Sequence, residues 1–195
     1  MKKNIEDLKI TTQEIENELN RLNYKKKYKN KFASTINILI TVAAIAILVA
    51  TLWLPVLQIY GNSMNPALSD GDIVVSLKNN QFKTGDVIAF YYNNKILVKR
   101  VIAQSGDWVN IDEQGNVYVN HELLDEPYLT EKALGDCDIE MPYQVPESRI
   151  FVMGDNRTVS IDSRNNAMGC VAEEQIVGQL IFKVWPLNEF GEINH

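Results

Sequence analysis

The 195-residue chain contains only two histidines and two cysteines. Neither HxxxH nor CxxC nor any other spacing typical of a metal site occurs, so we expect no metal ion and no other cofactor. Histidine is the commonest base that activates a catalytic serine, yet only His121 and the last residue, His195, are available for that role. A Ser-His-Asp triad through His121 stays open as an alternative.

The main part of the chain also lacks a basic stripe. Residues 58–195 hold ten Lys or Arg against twenty Asp or Glu, whereas residues 1–57 hold nine against five. Nucleic-acid binding requires Lys and Arg to neutralise phosphates, so this composition excludes it. The hydrophobic fraction of 46% is enough for one domain with a core and an appendage.

One long stretch lacks charge altogether, from Phe32 to Leu57. Before Pro55 it reads FASTINILITVAAIAILVATLWL, 23 residues that span roughly 34 Å as a helix, enough to cross a bilayer. Five lysines precede it in KKKYKNK, residues 25–31, and no basic cluster follows. The positive-inside bias therefore puts the N-terminus in the cytoplasm and residues 58 onward across the membrane. The length of the run and its Trp-Leu-Pro end favour an uncleaved anchor over a cleaved signal sequence.

An apolar stripe precedes this anchor. Its members alternate in spacings of three and four and share one face of a helix: Ile5, Leu8, Thr12, Ile15, Leu19 and Leu22. Two interpretations stay open, a short coiled coil that pairs with a partner or with itself, and an amphipathic helix lying near the membrane. We predict three segments: a cytoplasmic amphipathic helix with a basic cluster over 1–31, a transmembrane anchor over 32–57, and an extracytoplasmic β domain over 58–195.

Beyond the anchor, short Val-, Ile- and Tyr-rich runs recur between turn signals. We predict strands over 72–77, 86–92, 96–103, 107–111, 117–121, 149–153 and 175–185. Asn93-Asn94 and residues 113–116 are typical of hairpin turns, and residues 122–148 of a long irregular excursion. The predicted fold class is mainly β: an all-β, barrel-like or folded-sheet ectodomain preceded by one transmembrane helix and a short N-terminal cytoplasmic helix.

Two polar features interrupt the β region. Ser63 lies in GNSMNPALSDGD, residues 61–72, directly outside the anchor, and a serine hydroxyl is a poor nucleophile until a base removes its proton. In the apolar run ILVKRVIA, alternation sends Lys99 and Arg100 to opposite faces, so we expect one cation to be drawn inward. Burial lowers the pKa of a lysine, and a neutral amine can act as a general base. The alternative is a Lys99 that reaches solvent or forms an ion pair.

A third stretch, FVMGDNRTVSIDSRNNAMG, covers residues 151–169. It holds six polar side chains within eleven residues: Asp155, Asn156, Arg157, Ser160, Asp162 and Arg164. These groups are sufficient for a self-satisfying network that holds an adjacent catalytic group rigid. The alternative is a polar surface loop.

Together these stretches resemble the type I signal peptidase family of bacteria, membrane-anchored Ser/Lys proteases that cut signal peptides from exported proteins. GNSMNPALSDGD resembles the nucleophile box, GDVIAF followed by VKRVIAQSGD the lysine boxes, and GDNRTVSIDSR the last box. The resemblance implies that Ser63 is the nucleophile and Lys99 its general base. It further implies that Ser160 orients the Lys99 amine and that three charged residues support the site: Asp155, Asp162 and Arg164.

The same resemblance implies a membrane-bound serine endopeptidase that cuts after a small-x-small, Ala-x-Ala-like site, with residues 58–195 as the catalytic domain. Four residues match positions that line the family's shallow substrate pockets: Ile59, Tyr60, Leu97 and Val98. The expected partners are the signal peptides of exported preproteins and the lipid bilayer, with self-association through the N-terminal helix as an option. The expected location is the plasma membrane, in a single pass, with the catalytic domain on the extracytoplasmic face.

The sequence leaves the second oxyanion donor, the state of the cysteines and the alternative functions undecided. Gly61 stands where some family members carry a hydroxyl residue, so the Ser63 N–H is the first oxyanion donor and the second is undefined. Cys137 and Cys170 fit either a disulfide or two free thiols. The alternative functions are a dedicated Ser/Lys processing peptidase for pilin-like substrates and a non-enzymatic, membrane-anchored scaffold.

Overall fold

The computed structural model describes residues 12–79 and 81–193. Two compact units make up the chain, one ending at Val49 and one beginning at Ala50. The described part of the first unit is the helix α1, Thr12–Trp53, whose last four residues belong to the second. Among the described residues, this one helix is long and apolar enough, over Glu14–Val49, to cross a membrane.

The basic cluster and the apolar run share α1 without a break. The two segments that the sequence separates at residue 31 are therefore one helix of 42 residues, about 63 Å long at 1.5 Å per residue. The side chains of Ile15, Leu19 and Leu22 are exposed along it. Ile5 and Leu8, the first two members of the predicted stripe, lie outside the described residues.

The second unit is built from strands. The long ones are β2 (Ile73–Leu77), β3 (Val87–Tyr92), β4 (Lys95–Ala103), β5 (Trp108–Ile111), β9 (Arg149–Met153) and β11 (Ile176–Trp185). The short ones are β1 (Val56–Gln58), β6 (Val117–Val119), β7 (Glu122–Leu123), β8 (Tyr143–Gln144), β10 (Val171–Ala172) and β12 (Gly191–Glu192). Each of the seven predicted strands forms, whereas β1, β7, β8, β10 and β12 have no counterpart in the prediction because runs of two or three residues show no period.

These strands form two sheets, and every pairing in them is antiparallel. The large sheet has the order β1-β2-β11-β3-β4-β9-β10, with β12 beside β11, and the small sheet has the order β7-β6-β5-β8. Within the described residues the large sheet is open, since β1 and β10 end it without pairing to each other. The mainly β, folded-sheet class predicted from the sequence is confirmed.

Alternation along the strands builds the cores. In β3, Val87 and Ala89 join one cluster and Ile88 and Phe90 join another, so both faces of the large sheet are covered. The first cluster also takes in three residues of the chain that follows β1: Ile59, Met64 and Leu68. A further cluster joins the end of β4 and β9 to the small sheet. The hairpin turn predicted at Asn93-Asn94 links β3 to β4, with both residues at positive φ.

Candidate active site

Ser63 lies in the loop between β1 and β2, half-buried. The base of this loop closes where the Ile59 N–H donates to the Asp72 carbonyl at 2.8 Å. Gly61 has a φ of 89°, a conformation that glycine adopts readily, and its N–H donates to Asp70 Oδ1 at 2.7 Å. The loop is thus held by its own hydrogen bonds on one side and by the apolar core on the other.

The Lys99 amine meets the Ser63 hydroxyl. Lys99 Nζ, on β4, lies 2.7 Å from Ser63 Oγ, in the loop between β1 and β2, although the two residues are 36 positions apart in the chain. Lys99 is only 4% exposed, so its amine has left bulk water. By contrast, His121 is exposed in the turn between β6 and β7 of the other sheet, and the Ser63 hydroxyl has Lys99 as its partner.

Burial lowers the pKa of Lys99 from an ordinary value of 10.5 to about 8. The carboxylates of Asp162 and Asp155 oppose this shift, and the Arg164 guanidinium adds to it. At pH 7 a pKa of about 8 leaves roughly one amine in ten neutral, against roughly one in 2,500 for an unperturbed lysine. A neutral amine beside a hydroxyl has the lone pair that proton removal requires.

Asp162 anchors one wall of the site through two buried contacts. Its carboxylate accepts hydrogen bonds from Arg164 Nε at 2.8 Å and Nη2 at 2.9 Å, and from the Gly154 N–H at 2.9 Å. Burial raises the pKa of Asp162, but the hydrogen bonds and charge of Arg164 outweigh that effect and hold the pKa below its ordinary value. Asp162 and Arg164 therefore stay ionised as a pair.

Gly154 connects this wall to the serine loop. The Asn156 N–H, two residues further along, donates to the Ser63 carbonyl oxygen at 3.0 Å. A Cβ at residue 154 would lie closer than 3 Å to the Ser160 side chain and to the Ser63 carbonyl oxygen. The close approach of these segments depends on a residue without a side chain.

Ser160 is buried beside the ion pair. Its hydroxyl contributes to the lowered pKa of Asp162 but falls short of hydrogen-bond geometry to any described residue. The structure therefore does not bring Ser160 into a hydrogen bond with Lys99, since the amine is directed at Ser63.

Asp155 pairs with a residue that the sequence left without a role. Arg100 donates to Asp155 through Nε at 2.8 Å and Nη2 at 2.7 Å, and both side chains are fully buried. The Arg100 guanidinium lies 3.8 Å from the centroid of the Tyr128 ring. The sequence predicts that one of the adjacent cations of β4 turns inward; in the structure both Lys99 and Arg100 are buried, each with its own partner.

The predicted self-satisfying network over 151–169 is wrong in two parts, since Asp155 and Arg157 both pair with residues outside this stretch. The partner of Arg157 is Glu126, which belongs to the irregular excursion, and both groups are buried. Tyr128 donates to the same carboxylate at 2.9 Å, and Arg157 Nε donates to the Gly154 carbonyl at 3.2 Å. Sequence reasoning missed Glu126 and Arg100, because their ion-pair partners lie 31 and 55 residues away and leave no local signal. It also missed Tyr128, which contacts both of these residues.

A cleft of about 670 Å³ opens beside the Ser63–Lys99 contact. Its walls are residues 57–61 with Ser63 and Met64 on one side, and residues 95–99 of β4 on the other. The four predicted pocket residues all line it: Ile59, Tyr60, Leu97 and Val98. The sequence did not single out Gln58, Lys95 or Ile96, which also line it.

The two cysteines are free thiols, Cys170 buried and Cys137 half-buried, so of the two open possibilities the structure has no disulfide. Cys170 Sγ lies 3.9 Å from the Tyr143 hydroxyl. Burial raises the pKa of both thiols, which keeps them protonated and unreactive at neutral pH.

Comparison with known proteins identifies the family. The sequence profile described as signal peptidase, peptidase S26, matches residues 32–185, from the apolar run to the end of β11. The chain belongs to the peptidase S26 family. The match confirms the resemblance to bacterial type I signal peptidases. This S26 member is therefore a serine endopeptidase, which sets aside the non-enzymatic scaffold.

Curated relatives of this S26 peptidase are named as signal peptidases. It is 32% identical to signal peptidase I of Bacillus licheniformis over 177 residues, covering 83% of this chain and 92% of the relative. It is 39% identical to signal peptidase IB of Staphylococcus aureus strain COL over 153 residues, covering 68% of this chain and 78% of the relative. A crystal structure of signal peptidase I from Enterococcus faecalis V583 aligns at 28% identity and a TM-score of 0.42, covering 51% of this chain and 97% of that one.

Proposed function

We propose that this S26 peptidase removes signal peptides from exported preproteins, with Ser63 as the nucleophile and Lys99 as the general base. The observation that carries the assignment is the 2.7 Å contact between Lys99 Nζ and Ser63 Oγ, made where the lysine is almost completely buried. Family membership supports the substrate class, and the lowered pKa of Lys99 supports the division of roles.

The reaction needs one proton carrier. Neutral Lys99 takes the Ser63 proton as Oγ attacks the scissile carbonyl carbon, and the protonated amine then gives that proton to the leaving peptide nitrogen. An acyl-enzyme ester on Ser63 remains. Lys99, neutral again, removes a proton from the water that attacks the ester, and the resulting ammonium gives this proton to Ser63 Oγ as the ester C–O bond breaks. The cleaved signal peptide is released as a carboxylic acid, which loses its remaining proton to solvent.

The supporting residues hold neighbouring groups of the site in place. Ion pairing with Arg164 fixes the Asp162 carboxylate, which in turn holds the Gly154 N–H. Ser160 has a buried hydroxyl that meets no partner among the described residues, and such groups are normally satisfied. We assign it to the acyl-enzyme, in which Ser63 Oγ is esterified and the Lys99 amine needs a new orienting contact.

The oxyanion of the tetrahedral intermediate takes the Ser63 N–H as its first donor. Gly61 has no side chain to offer, and its own N–H is engaged by Asp70. The second donor is therefore another backbone N–H or a water molecule rather than a side chain two residues before the nucleophile.

Two strand edges favour an extended peptide in the cleft. Within the described residues, β1 pairs only with β2, and residues 95–99 of β4 pair only with β3 because β9 begins its pairing at Arg100. An added strand satisfies such edges through its backbone groups. In an extended chain the first and third side chains before the cut point to the same side, so one shallow wall selects both.

Model peptides measure this selectivity for small residues. The full chain in a nonionic detergent is expected to cut a fluorogenic peptide once, after an Ala-x-Ala sequence. Tryptophan in place of either alanine should lower kcat/KM about tenfold or more, since it costs about 1.4 kcal/mol or more to misfit a small pocket. Tryptophan at the middle residue, which points away, should change kcat/KM little.

A peptide series in which the middle residue governs the rate, or in which neither alanine matters, would contradict this assignment of the cleft. Cleavage restricted to a pilin-like sequence would favour the dedicated processing peptidase. Mass spectrometry of the products locates the bond that is cut and separates these results.

The membrane topology follows from charge. The lysines over 25–31 flank the apolar part of α1 on its N-terminal side, which by the positive-inside bias keeps the N-terminus in the cytoplasm. Residues from 58 on then lie on the extracytoplasmic face of the plasma membrane, and Ser63 follows the end of α1 by ten residues. Such a position along the chain suits a substrate whose own signal peptide spans the bilayer. Self-association through the exposed stripe of α1 stays a prediction.

A further inference from the structure

Lys95 is the cation at the far end of the cleft from the catalytic contact. It is the first residue of β4, directly after the Asn93-Asn94 turn, and its side chain is exposed while lining the cleft. Side chains alternate along a strand, so Lys95 projects to the same side as Leu97 and Lys99. The mouth of the cleft therefore carries a positive charge in line with the catalytic lysine.

Among the described residues, no acidic group in the cleft neutralises this charge. The lining residues include Lys95 and Lys99 but neither Asp nor Glu. Lys95 forms no ion pair among the described residues. When Lys99 is in its neutral, reactive form, Lys95 is the one full charge among the described residues that line the cleft.

The direction of the substrate follows from where the cleft lies. The cleft extends along β4 from Lys99 back to Lys95, and beyond Lys99 the edge of β4 is occupied by β9. If the residues before the cut fill the cleft, the substrate runs parallel to β4. Four residues of strand span about 13 Å, so the fifth residue before the cut lies beside Lys95 when the first lies beside Lys99.

We propose that Lys95 selects among signal peptides by charge, favouring an aspartate or glutamate at the fifth residue before the cut and disfavouring a lysine or arginine there. This inference rests on the proposed function and deepens it. Because Lys95 is exposed, its effect is that of a partly screened ion pair. It acts about 13 Å from the reacting atoms, so the selection falls mainly on KM rather than kcat.

Three Ala-x-Ala peptides that carry Asp, Asn or Lys at that fifth residue test the inference on the full chain in nonionic detergent. At low salt the Asp peptide is expected to exceed the Lys peptide about fivefold in kcat/KM, with Asn between them. Adding salt to about 1 M should bring the ratio close to one, because the Debye length falls to about 3 Å. Lys95→Glu should reverse the order of the Asp and Lys peptides.

Lys78→Glu is the matched control, since it makes the same change of charge at an exposed lysine that does not line the cleft. It should leave the Asp-to-Lys ratio as in the wild type. An equal ratio in the wild type and in Lys95→Glu would overturn the inference, as would an equal shift of the ratio in Lys78→Glu. If the wild type cuts none of the three peptides, the proposed function itself fails and the inference falls with it.

Discussion

Replacing Lys99 by methionine is expected to abolish peptide cleavage and at the same time to make the protein more stable. The loss of kcat should be about 10⁴-fold or more, because the Ser63 hydroxyl then has no base. Methionine matches the apolar stem of lysine in length but carries no charge into the buried site. The variant separates function from stability in a single substitution.

The gain in stability follows from the pKa of Lys99. Its value of about 8 in the folded protein, against an ordinary 10.5, means that the charged amine destabilises the fold by about 3 kcal/mol at pH 7. The lost hydrogen bond to Ser63 offsets about 1 kcal/mol of this. The net gain of about 2 kcal/mol corresponds to a rise in Tm of about 4 to 8 °C for a chain of this size.

The size of this stability gain depends on pH between about 8 and 10.5. The penalty in the wild type is complete below pH 8, where the folded and unfolded states are both protonated at Lys99. Between pH 8 and 10.5 the unfolded state binds the additional proton, so wild-type stability rises and the advantage of Lys99→Met shrinks. Thermal unfolding followed by circular dichroism at pH 7 and pH 9.5 measures both values.

Ser63→Ala is the matched control. It should lose activity to the same degree but gain no stability, since the buried amine stays and loses its partner. A Lys99→Met protein that keeps more than about a hundredth of the wild-type kcat would remove Lys99 from the chemistry. A Lys99→Met protein less stable than Ser63→Ala would contradict the lowered pKa.

Gly154→Ala is expected to lower kcat about 100-fold although residue 154 carries no reacting group. The added methyl would push against the Ser160 side chain and the Ser63 carbonyl oxygen. Displacing the serine loop by a fraction of an ångström to 1 Å spoils the approach of Ser63 to the scissile carbon and to Lys99, and misplacements of this size cost about 100-fold. A stability loss of about 1 to 3 kcal/mol should accompany it.

Gly191→Ala provides the control for this substitution. A Cβ at Gly191 meets no atom within 4 Å, and its backbone conformation suits an L-residue. Steady-state kinetics should show a kcat within about twofold of the wild type for Gly191→Ala. Equal activities for Gly154→Ala and Gly191→Ala would mean that the close approach at Gly154 has no part in holding Ser63.

The strands were predictable because their signal is local. Runs such as residues 86–92 and 149–153 alternate or remain apolar between turn residues, and the structure reproduces their bounds within about a residue. β1 was missed because its three residues follow Pro55 and continue the apolar composition of the anchor. The continuity of α1 across residue 31 was missed as well, since the basic cluster changes the composition without breaking the helix.

The pairing of charges could not be predicted, because it is decided by tertiary contacts. Asp162 and Arg164, two residues apart, do pair, and both are among the residues that the family resemblance assigned to the support of the site. Arg157 finds Glu126 and Arg100 finds Asp155 only after the excursion over 122–148 has folded against the large sheet. Alternation predicted one buried cation in β4. Both faces of the large sheet are covered, however, so Lys99 is buried on one face and Arg100 on the other.

The central claim is that the amine at residue 99 reacts in its neutral form. The pH dependence of kcat/KM on a neutral Ala-x-Ala peptide tests it most directly, since this parameter reports the ionisation of the free enzyme. We expect kcat/KM to rise tenfold per pH unit up to about pH 8, where the pKa of Lys99 lies, and to level off above it, so that pH 6 gives about a hundredth of the plateau. A rate that does not change between pH 6 and pH 9, or one that reaches its plateau by pH 7, would contradict the claim.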